Sequence, residues 1–309
     1  MLMDQLAAMR VFAEVAELGS FSAAAKSLGL SRPSVSTQVA ALEKHLGVRL
    51  FDRTTRRVAL TRDGARFLGG CRLVFSELRA VEDELGASGE RPAGRLTVHL
   101  AAALGRQLLM PALPGFLARY PSLDVDVRIS DRLVEPPDEG VDVAVRAGSV
   151  SNPRLAVRSA AASHWITCAS PDYLDRHGWP QTPVGLRSHQ LIGYRGAGAA
   201  KPHGWIFREG RRQLALEPVC RATLDDPEAL LAAAARGAGI IQTMDLLAAP
   251  ALERGALAIV LPGTAVRGPP VSVIYPRVGE ESASVRVFAA FAVELLGRCQ
   301  RRAAAATGL

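Results

Sequence analysis

Aromatic residues are scarce in this chain of 309 residues, at 5%. Cysteine is scarcer still: four residues, at 71, 168, 220 and 299, with no CxxC pair among them. That spacing excludes a disulfide framework and a zinc knuckle, and fits free thiols in a reducing compartment. No uninterrupted apolar run is long enough to span a bilayer. The start, MLMDQLAAMRVF, carries Asp4 and lacks a basic segment followed by a long apolar one, so no signal peptide is expected and cytoplasmic residence is the default. GxSxG, HExxH and P-loop motifs are missing. GAGAAK lacks the P-loop spacing, and RGAGI follows a helical pattern where a dinucleotide fingerprint follows a strand. The six histidines (45, 99, 164, 177, 189 and 203) are scattered without metal spacing, and His99 reads as a packed or paired core residue. No catalytic set, cofactor, metal or membrane is expected.

What is present is hydrophobic mass and local positive charge. At 49% hydrophobic and 22% charged residues the chain reads as globular, with room for two or three domains. Its net charge is +7, and Lys26 to Arg79 alone holds eleven Lys/Arg against four Asp/Glu, an excess of seven. A local basic excess argues for a polyanionic partner, although a charge run alone is more often a solvated surface.

Three regions separate on pattern. In LAAMRVFAEVAEL, residues Leu6, Met9, Phe12 and Val15 recur near a 3.6-residue period and predict a helix that Gly19 stops. Ser22 is expected to cap a second helix over 23–28. The second region, 61–86, carries a long apolar stripe from Ala65 through Leu68, Phe75 and Leu78 to Leu85. One helix cannot bury it alone; pairing with a second copy, or packing on its own domain, would do so. GASGERPAG then reads as a hinge. From 95 to about 296 strands alternate with helices, the pattern of an α/β domain in two lobes, and RRAAAATGL is expected to fray. The segment GRQLLMPALPGFLARYP reads as one helix.

The stretch SAAAKSLGLSRPSVSTQVAALEKHLG, 22–47, is the most informative. Gly29 suits a left-handed turn, Ala24 and Ala25 let a second helix cross closely, and Ser31 and Pro33 suit a helix start. Val35, Val39, Leu42 and Leu46 form one buried stripe, leaving Ser34, Ser36, Thr37, Gln38 and Ala41 outward. Short hydroxyls, an amide and a methyl are the groups that read base edges and hold phosphates. By itself this is a helix-turn-helix or an ordinary helical hairpin. VRLFDRTTRRVALT follows, two short alternating segments around a tip bearing Arg53, Thr54, Arg56 and Arg57. A basic hairpin beside a groove-sized helix reads as a wing.

Over nearly its whole length the chain resembles the LysR-type transcriptional regulators. The residues that carry this are FAEVAELGSFSAAAKSLGLSRPSVSTQVAALEKHLGVRLFDRTTRRVALTRDG at 12–64, then ALPGFLARYPSLDVDVRISDRLV, GVDVAVRAG, CASPDYLDRHG and IYPR. The resemblance implies a winged helix-turn-helix (1–62), a linker and dimerisation helix with a hinge (63–93), a two-lobed effector domain similar to periplasmic binding proteins (94–300), and a tail (301–309). Lobe I would span about 94–163 and 270–300, and lobe II about 164–269. Implied partners are double-stranded promoter DNA, RNA polymerase, a small-molecule effector and further copies of the chain as a homodimer or homotetramer. It assigns DNA contacts to Ser31, Arg32, Pro33, Ser34, Ser36, Thr37 and Gln38, and wing contacts to Arg53, Thr54, Arg56 and Arg57. Thr37 stands where many members have arginine.

For the effector cleft the expected lining is Ala103, Leu104 and Gly105, Ser130, Arg146 to Ser149 with Gly148 among them, the YRGAGAAK loop from Tyr194 to Lys201, Thr223 with Asp225, and Gln242 with Thr243. Ala103 and Leu104 replace a Ser or Thr common in relatives, which leaves the backbone N–H groups of Leu104 and Gly105 as donors. Arg106 and Arg146 would pair with a ligand carboxylate or be structural. Gln242 and Thr243 stand where relatives often carry an apolar residue and proline, and Pro136 and Pro137 interrupt a short helix the family usually completes. The alternatives are a constitutive DNA-binding regulator whose α/β domain only oligomerises, an enzyme fused to a DNA-binding head, and a secreted binding protein.

Overall fold

A computed structural model describes residues 4–54, 57–86, 92–136, 140–196, 198–277 and 282–309; for residues 53, 54, 57, 73, 76, 77 and 79–86 it describes the backbone alone. The chain starts with three helices: α1 (Gln5–Leu18), α2 (Phe21–Ser27) and α3 (Arg32–Leu46). Gly19 ends α1 at φ 59°. Ser20, not Ser22, caps α2, its Oγ accepting the Ala23 N–H. The cap falls two residues early because Ser20 is the extended residue (φ −153°, ψ 121°) and Phe21 is already helical, with Phe21 packing on the helical core. Ala8, Phe12 and Val15 of α1 meet Ala24 and Ala25 of α2 and Val35, Val39 and Leu42 of α3 in one buried cluster.

A two-stranded antiparallel hairpin follows, β1 (Phe51–Thr54) with β2 (Arg57–Leu60), and then α4 (Arg62–Gly86). Thr61 joins them: its hydroxyl donates to the Arg49 carbonyl and accepts the Gly64 N–H. Gly64 is required here, since a Cβ would sit 2.0 Å from the Leu50 carbonyl oxygen. Leu68 and Cys71 are buried against the helical core, and Phe67 and Phe75 pack on it. The first half of the apolar stripe is thus satisfied within its own domain. Leu85 lies among the residues whose side chains are not described.

The rest of the described chain forms a five-stranded sheet, a four-stranded sheet and two strand pairs, with helices packed on them. β3 (Gly94–Leu100) leads into a helical segment that is not one regular helix: α5 (Ala102–Leu104), a π turn over Gly105–Leu109, a 3₁₀ turn over Met110–Ala112 and α6 (Leu113–Arg119). Pro111 has no N–H to donate and its ring crowds the preceding turn, so the hydrogen-bond pattern widens and then tightens around it. β4 (Leu123–Ile129), β5 (Val143–Ala147) and β6 (Leu155–Ala161) complete the first run. Next come β7 (His164–Ala169), α7 (Pro171–His177), β8 (Leu191–Tyr194), β9 (Trp205–Glu209), β10 (Arg212–Leu216) and β11 (Cys220–Leu224). Then follow α8 (Pro227–Ala235), β12 (Ile241–Met244), α9 (Asp245–Glu253), β13 (Ala258–Val260) and β14 (Val266–Arg267). β15 (Val271–Pro276) and α10 (Ala283–Thr307) close the chain. Five strands make the first sheet, in the order β4-β3-β5-β15-β6. β3 runs parallel to β4 and β5, whereas β15 is antiparallel to β5 and β6, because the chain re-enters this sheet from the second lobe. In the second sheet β7 pairs antiparallel with β12, β13 and β14. β8 pairs parallel with β11 and is joined through a parallel bridge, Leu191 with Ile240. β9 and β10 form an antiparallel hairpin.

The sequence pattern did not reveal β6, β8, β9, β10 or β14, which are short or carry exposed polar residues. The expected frayed tail is also corrected: α10 runs on to Thr307, with Ala303 fully buried and the Arg302 guanidinium bound to the Glu253 carboxylate of α9. Burial of one alanine face and high alanine helix propensity hold it. Among the described residues no helix is long and apolar enough to cross a membrane.

The three tryptophans, at 165, 179 and 205, all lie outside the helical head. Gly64→Ala should therefore cost the head ~1–3 kcal/mol through overpacking, lowering its urea midpoint by circular dichroism. The midpoint of tryptophan fluorescence should stay where it is.

Candidate nucleic-acid interface and effector cavity

The turn between α2 and α3 is built as the small residues require. Gly29 sits at φ 65°, and Ser31 caps α3 by accepting the Ser34 N–H at 3.2 Å. With Val35 and Val39 facing the core at 0% exposure, the opposite face of α3 is left to solvent. Ser31, Arg32, Pro33 and Thr37 are exposed; Ser34, Ser36 and Gln38 are half-buried. All seven lie at the cap or in the first two turns of α3, with Pro33 and Thr37 on the side opposite the buried stripe. Glu43, which the sequence did not single out, fixes the wing to this helix. Its Oε1 accepts the N–H groups of Leu50 and Phe51 at 2.8 and 3.2 Å. The ladder pairs Arg53 with Val58 and Thr54 with Arg57, so the basic residues fall at the far end of the hairpin. Arg56 lies outside the described residues, as do the side chains of Arg53, Thr54 and Arg57.

Between the two sheets the chain crosses twice, at 161–164 and 267–271. Ser163 ties the crossings together: its hydroxyl donates to the Pro269 carbonyl at 2.7 Å and its carbonyl accepts the Gly268 N–H at 2.8 Å. Beside them is a cavity of roughly 230 Å³ lined from both lobes. Ala101, Ala103, Leu104 and Asp131 come from the first; Trp165, Tyr194, Gln242, Thr243 and Leu247 are among those from the second. Of the expected lining, Ala103, Leu104, Gln242 and Thr243 are in place, and Tyr194 comes from the expected YRGAGAAK loop.

Most of the others sit elsewhere. Gly105 packs against Leu100, where a Cβ would come to 2.9 Å, and its N–H already donates to the Ala101 carbonyl. Ser130 is paired with His99, whose ring nitrogen lies 2.9 Å from the Ser130 hydroxyl, so the buried histidine is a paired core residue. Arg146 reaches Glu135 and the Ser149 carbonyl, both at 3.5 Å, away from the cavity; alternation along β5 turns Ala147 in and Arg146 out. Gly148 and Thr223 do not line it either. Arg106 is bound within the chain, to Asp226 at 2.8 Å and Glu228 at 2.5 Å, and so bridges the lobes. Pro137 lies outside the described residues.

Gln242 has its polar atoms engaged. Its Oε1 accepts the Ile206 N–H at 3.0 Å and its Nε2 donates to the Ile206 carbonyl at 2.9 Å, as a strand partner would. The rings of Trp165 and His203 and the carboxylate of Asp131 were missed as lining. A rare aromatic opening the apolar strand HWITCAS was the available signal. Burial, and then the carboxylates of Asp131, Asp226 and Asp225, push the Tyr194 phenol above its usual range. The thiols are poor nucleophiles: burial pushes Cys168 up to about 12 and Cys71 up to about 11.

Two family descriptions match the chain: "Bacterial regulatory helix-turn-helix protein, lysR family" over residues 6–65 and "LysR substrate binding domain" over residues 89–297. An HTH-type transcriptional repressor of Pseudomonas aeruginosa is 32% identical over 293 residues, 95% of this chain and 92% of the relative. The HTH-type transcriptional regulator CrgA of Neisseria meningitidis is 32% identical over 290 residues, 94% of this chain and 96% of its own. The solved structure of CrgA superimposes with a TM-score of 0.62, covering 96% of this chain and 99% of that one. The Vibrio cholerae virulence activator AphB, 24% identical, shares the fold with a TM-score of 0.60 over 95% of this chain and 99% of that one.

Gln242→Leu leaves the Ile206 N–H and carbonyl unpaired, at ~1–3 kcal/mol for each buried group. The urea midpoint read by the fluorescence of nearby Trp205 should fall accordingly. An unchanged midpoint would mean that the amide does not hold the β9–β10 hairpin.

Proposed function

The chain belongs to the LysR family of transcriptional regulators, and on that premise we propose how its residues divide the work. It is a DNA-binding regulator with an effector-binding domain. The exposed edge of α3, with Ser31, Arg32, Pro33, Ser34, Ser36, Thr37 and Gln38, enters the major groove of promoter DNA. The wing residues Arg53, Thr54, Arg56 and Arg57 neutralise phosphates. Hydroxyls and an amide beside a basic wing support this division, since phosphate contacts position a protein and base edges specify its site. Thr37, exposed where arginine is common, sets the sequence preference apart from that of relatives.

The effector sits in the cavity between the lobes, against Ala103, Leu104 and Gln242. That cavity, open and lined from both lobes beside a two-strand hinge, is the observation that carries the regulatory reading. It favours ligand gating over a constitutive regulator with a purely oligomeric α/β domain. Ligand shifts the population of closed lobes, and the spacing of paired DNA-binding heads follows. The heads pair through the distal part of α4 in a homodimer or homotetramer, placed in the cytoplasm beside RNA polymerase. That α10 and α4 touch at all gives the effector domain a mechanical route to the heads.

On its own upstream promoter the chain should form a strongly salt-dependent complex. Changing Arg53, Arg56 and Arg57 together to Ala should weaken the complex and flatten log K against log salt by roughly 2–3 units, near 0.9 per phosphate lost. A steep slope retained in that variant would remove the wing from the interface. Ala147→Phe, which fills the cavity from a partly exposed position, should leave DNA binding intact and abolish the metabolite response of a promoter reporter. A normal response would argue for another effector site.

A further inference from the structure

The charge arrangement around the cavity names a ligand class; this rests on the effector reading above. Helix starts favour anions, because free N–H groups and the helix dipole point at them. Three helix starts flank this cavity, and each already holds a carboxylate of the chain. Asp131 Oδ1 accepts the Ala102 N–H at 2.8 Å at the start of α5. Asp226 Oδ1 accepts the N–H groups of Glu228 and Ala229, both at 2.8 Å, at the start of α8. Asp245 Oδ1 accepts the Leu246 N–H at 2.8 Å at the start of α9, and its other oxygen meets the His164 ring at 3.1 Å. Both free N–H groups at the start of α8 are taken in this way, and one at the starts of α5 and α9.

The two arginines expected at the cleft are engaged elsewhere. Arg106 is held between Asp226 and Glu228, and Arg146 faces away toward Glu135. Among the described residues no Lys or Arg lines the cavity, whereas Asp131 does. An anion placed there would meet that carboxylate in surroundings that screen it less than water does. Aromatic faces complete the lining. The rings of Trp165 and His203 lie 5.3 Å apart and 37° from parallel, and Tyr194 joins them. Aromatic faces around a desolvated site attract ammonium groups. The volume suits a ring with a short substituent, since a dry cavity of about 150 Å³ accepts benzene.

We propose that the effector is a small organic cation, an amine or ammonium on a ring-sized apolar body, with its charge held by Asp131 and the rings of Trp165 and Tyr194. The body of the ligand lies against Ala103, Leu104 and Leu247, and the Tyr194 phenol, kept neutral by its surroundings, stays available as a donor or acceptor.

The test is calorimetric titration of the full chain at neutral pH with three probes that share a ring: benzylammonium, benzyl alcohol and benzoate. Benzylammonium should bind at least about tenfold more tightly than either of the others. Asp131→Asn, whose side-chain oxygen still accepts the Ala102 N–H, should remove that preference while leaving benzyl alcohol binding unchanged. Benzoate binding most tightly, or the preference surviving in Asp131→Asn, overturns the cationic assignment and leaves the effector cavity standing. Binding of none of the three overturns it as well. If the Ala147→Phe reporter also responds normally, the effector reading falls with it.

Discussion

Everything the second part of this molecule can do depends on Ser163. Its hydroxyl and carbonyl hold the two inter-lobe crossings side by side, and it is fully buried. The contact is so close that a Cβ on Gly268 would lie 2.6 Å from the Ser163 hydroxyl. Two crossings fixed at this distance act as one axis. The closure proposed above would be a rocking of the lobes about this axis, the hinge form of domain motion. A cavity beside such an axis changes volume when the lobes rock, and a ligand that touches both walls biases the motion.

The axis is tied outward in two directions. The Ala162 N–H donates to the Gln300 side chain on α10 at 2.9 Å, and the His164 N–H donates to Asp245 at the start of α9 at 2.9 Å. α10 and α9 also pack along each other, with Arg302 bound to Glu253. On the other side of the chain, Arg72 of α4 reaches Glu17 of α1 at 3.4 Å and Phe75 packs on the helical head. The linker helix is therefore a rigid extension of the head rather than a tether, so a rotation delivered to α4 is delivered to α3.

Much of this was legible in the sequence, and the limits have physical causes. The helix-turn-helix was readable because its signals are local: Gly29, Ser31 and a stripe spaced for burial. The wing was readable as a charged tip between alternating segments. The cleft was legible only in outline, because its lining comes from residues far apart in the chain. Ala103 and Leu104 could be placed by their position after a strand, but Trp165 and Asp131 only by tertiary contact. Alternation along β5 decided Arg146 against the cavity, and a one-residue shift in that register would have decided it the other way. Gln242 borders the cavity, while its hydrogen bonds to Ile206 belong to a hairpin the pattern did not reveal. Ser22 failed by two residues because several hydroxyls compete at one helix start and only backbone dihedrals choose among them.

The Arg106 bridge between the lobes sets how sharply the molecule can respond. It is a solvent-facing ion pair, and such pairs contribute about 0–1 kcal/mol. A latch of that strength shifts the balance of closed and open forms by no more than about fivefold. An effector that spans the cavity therefore meets little resistance from this contact, and salt, which screens the pair, lowers that resistance further.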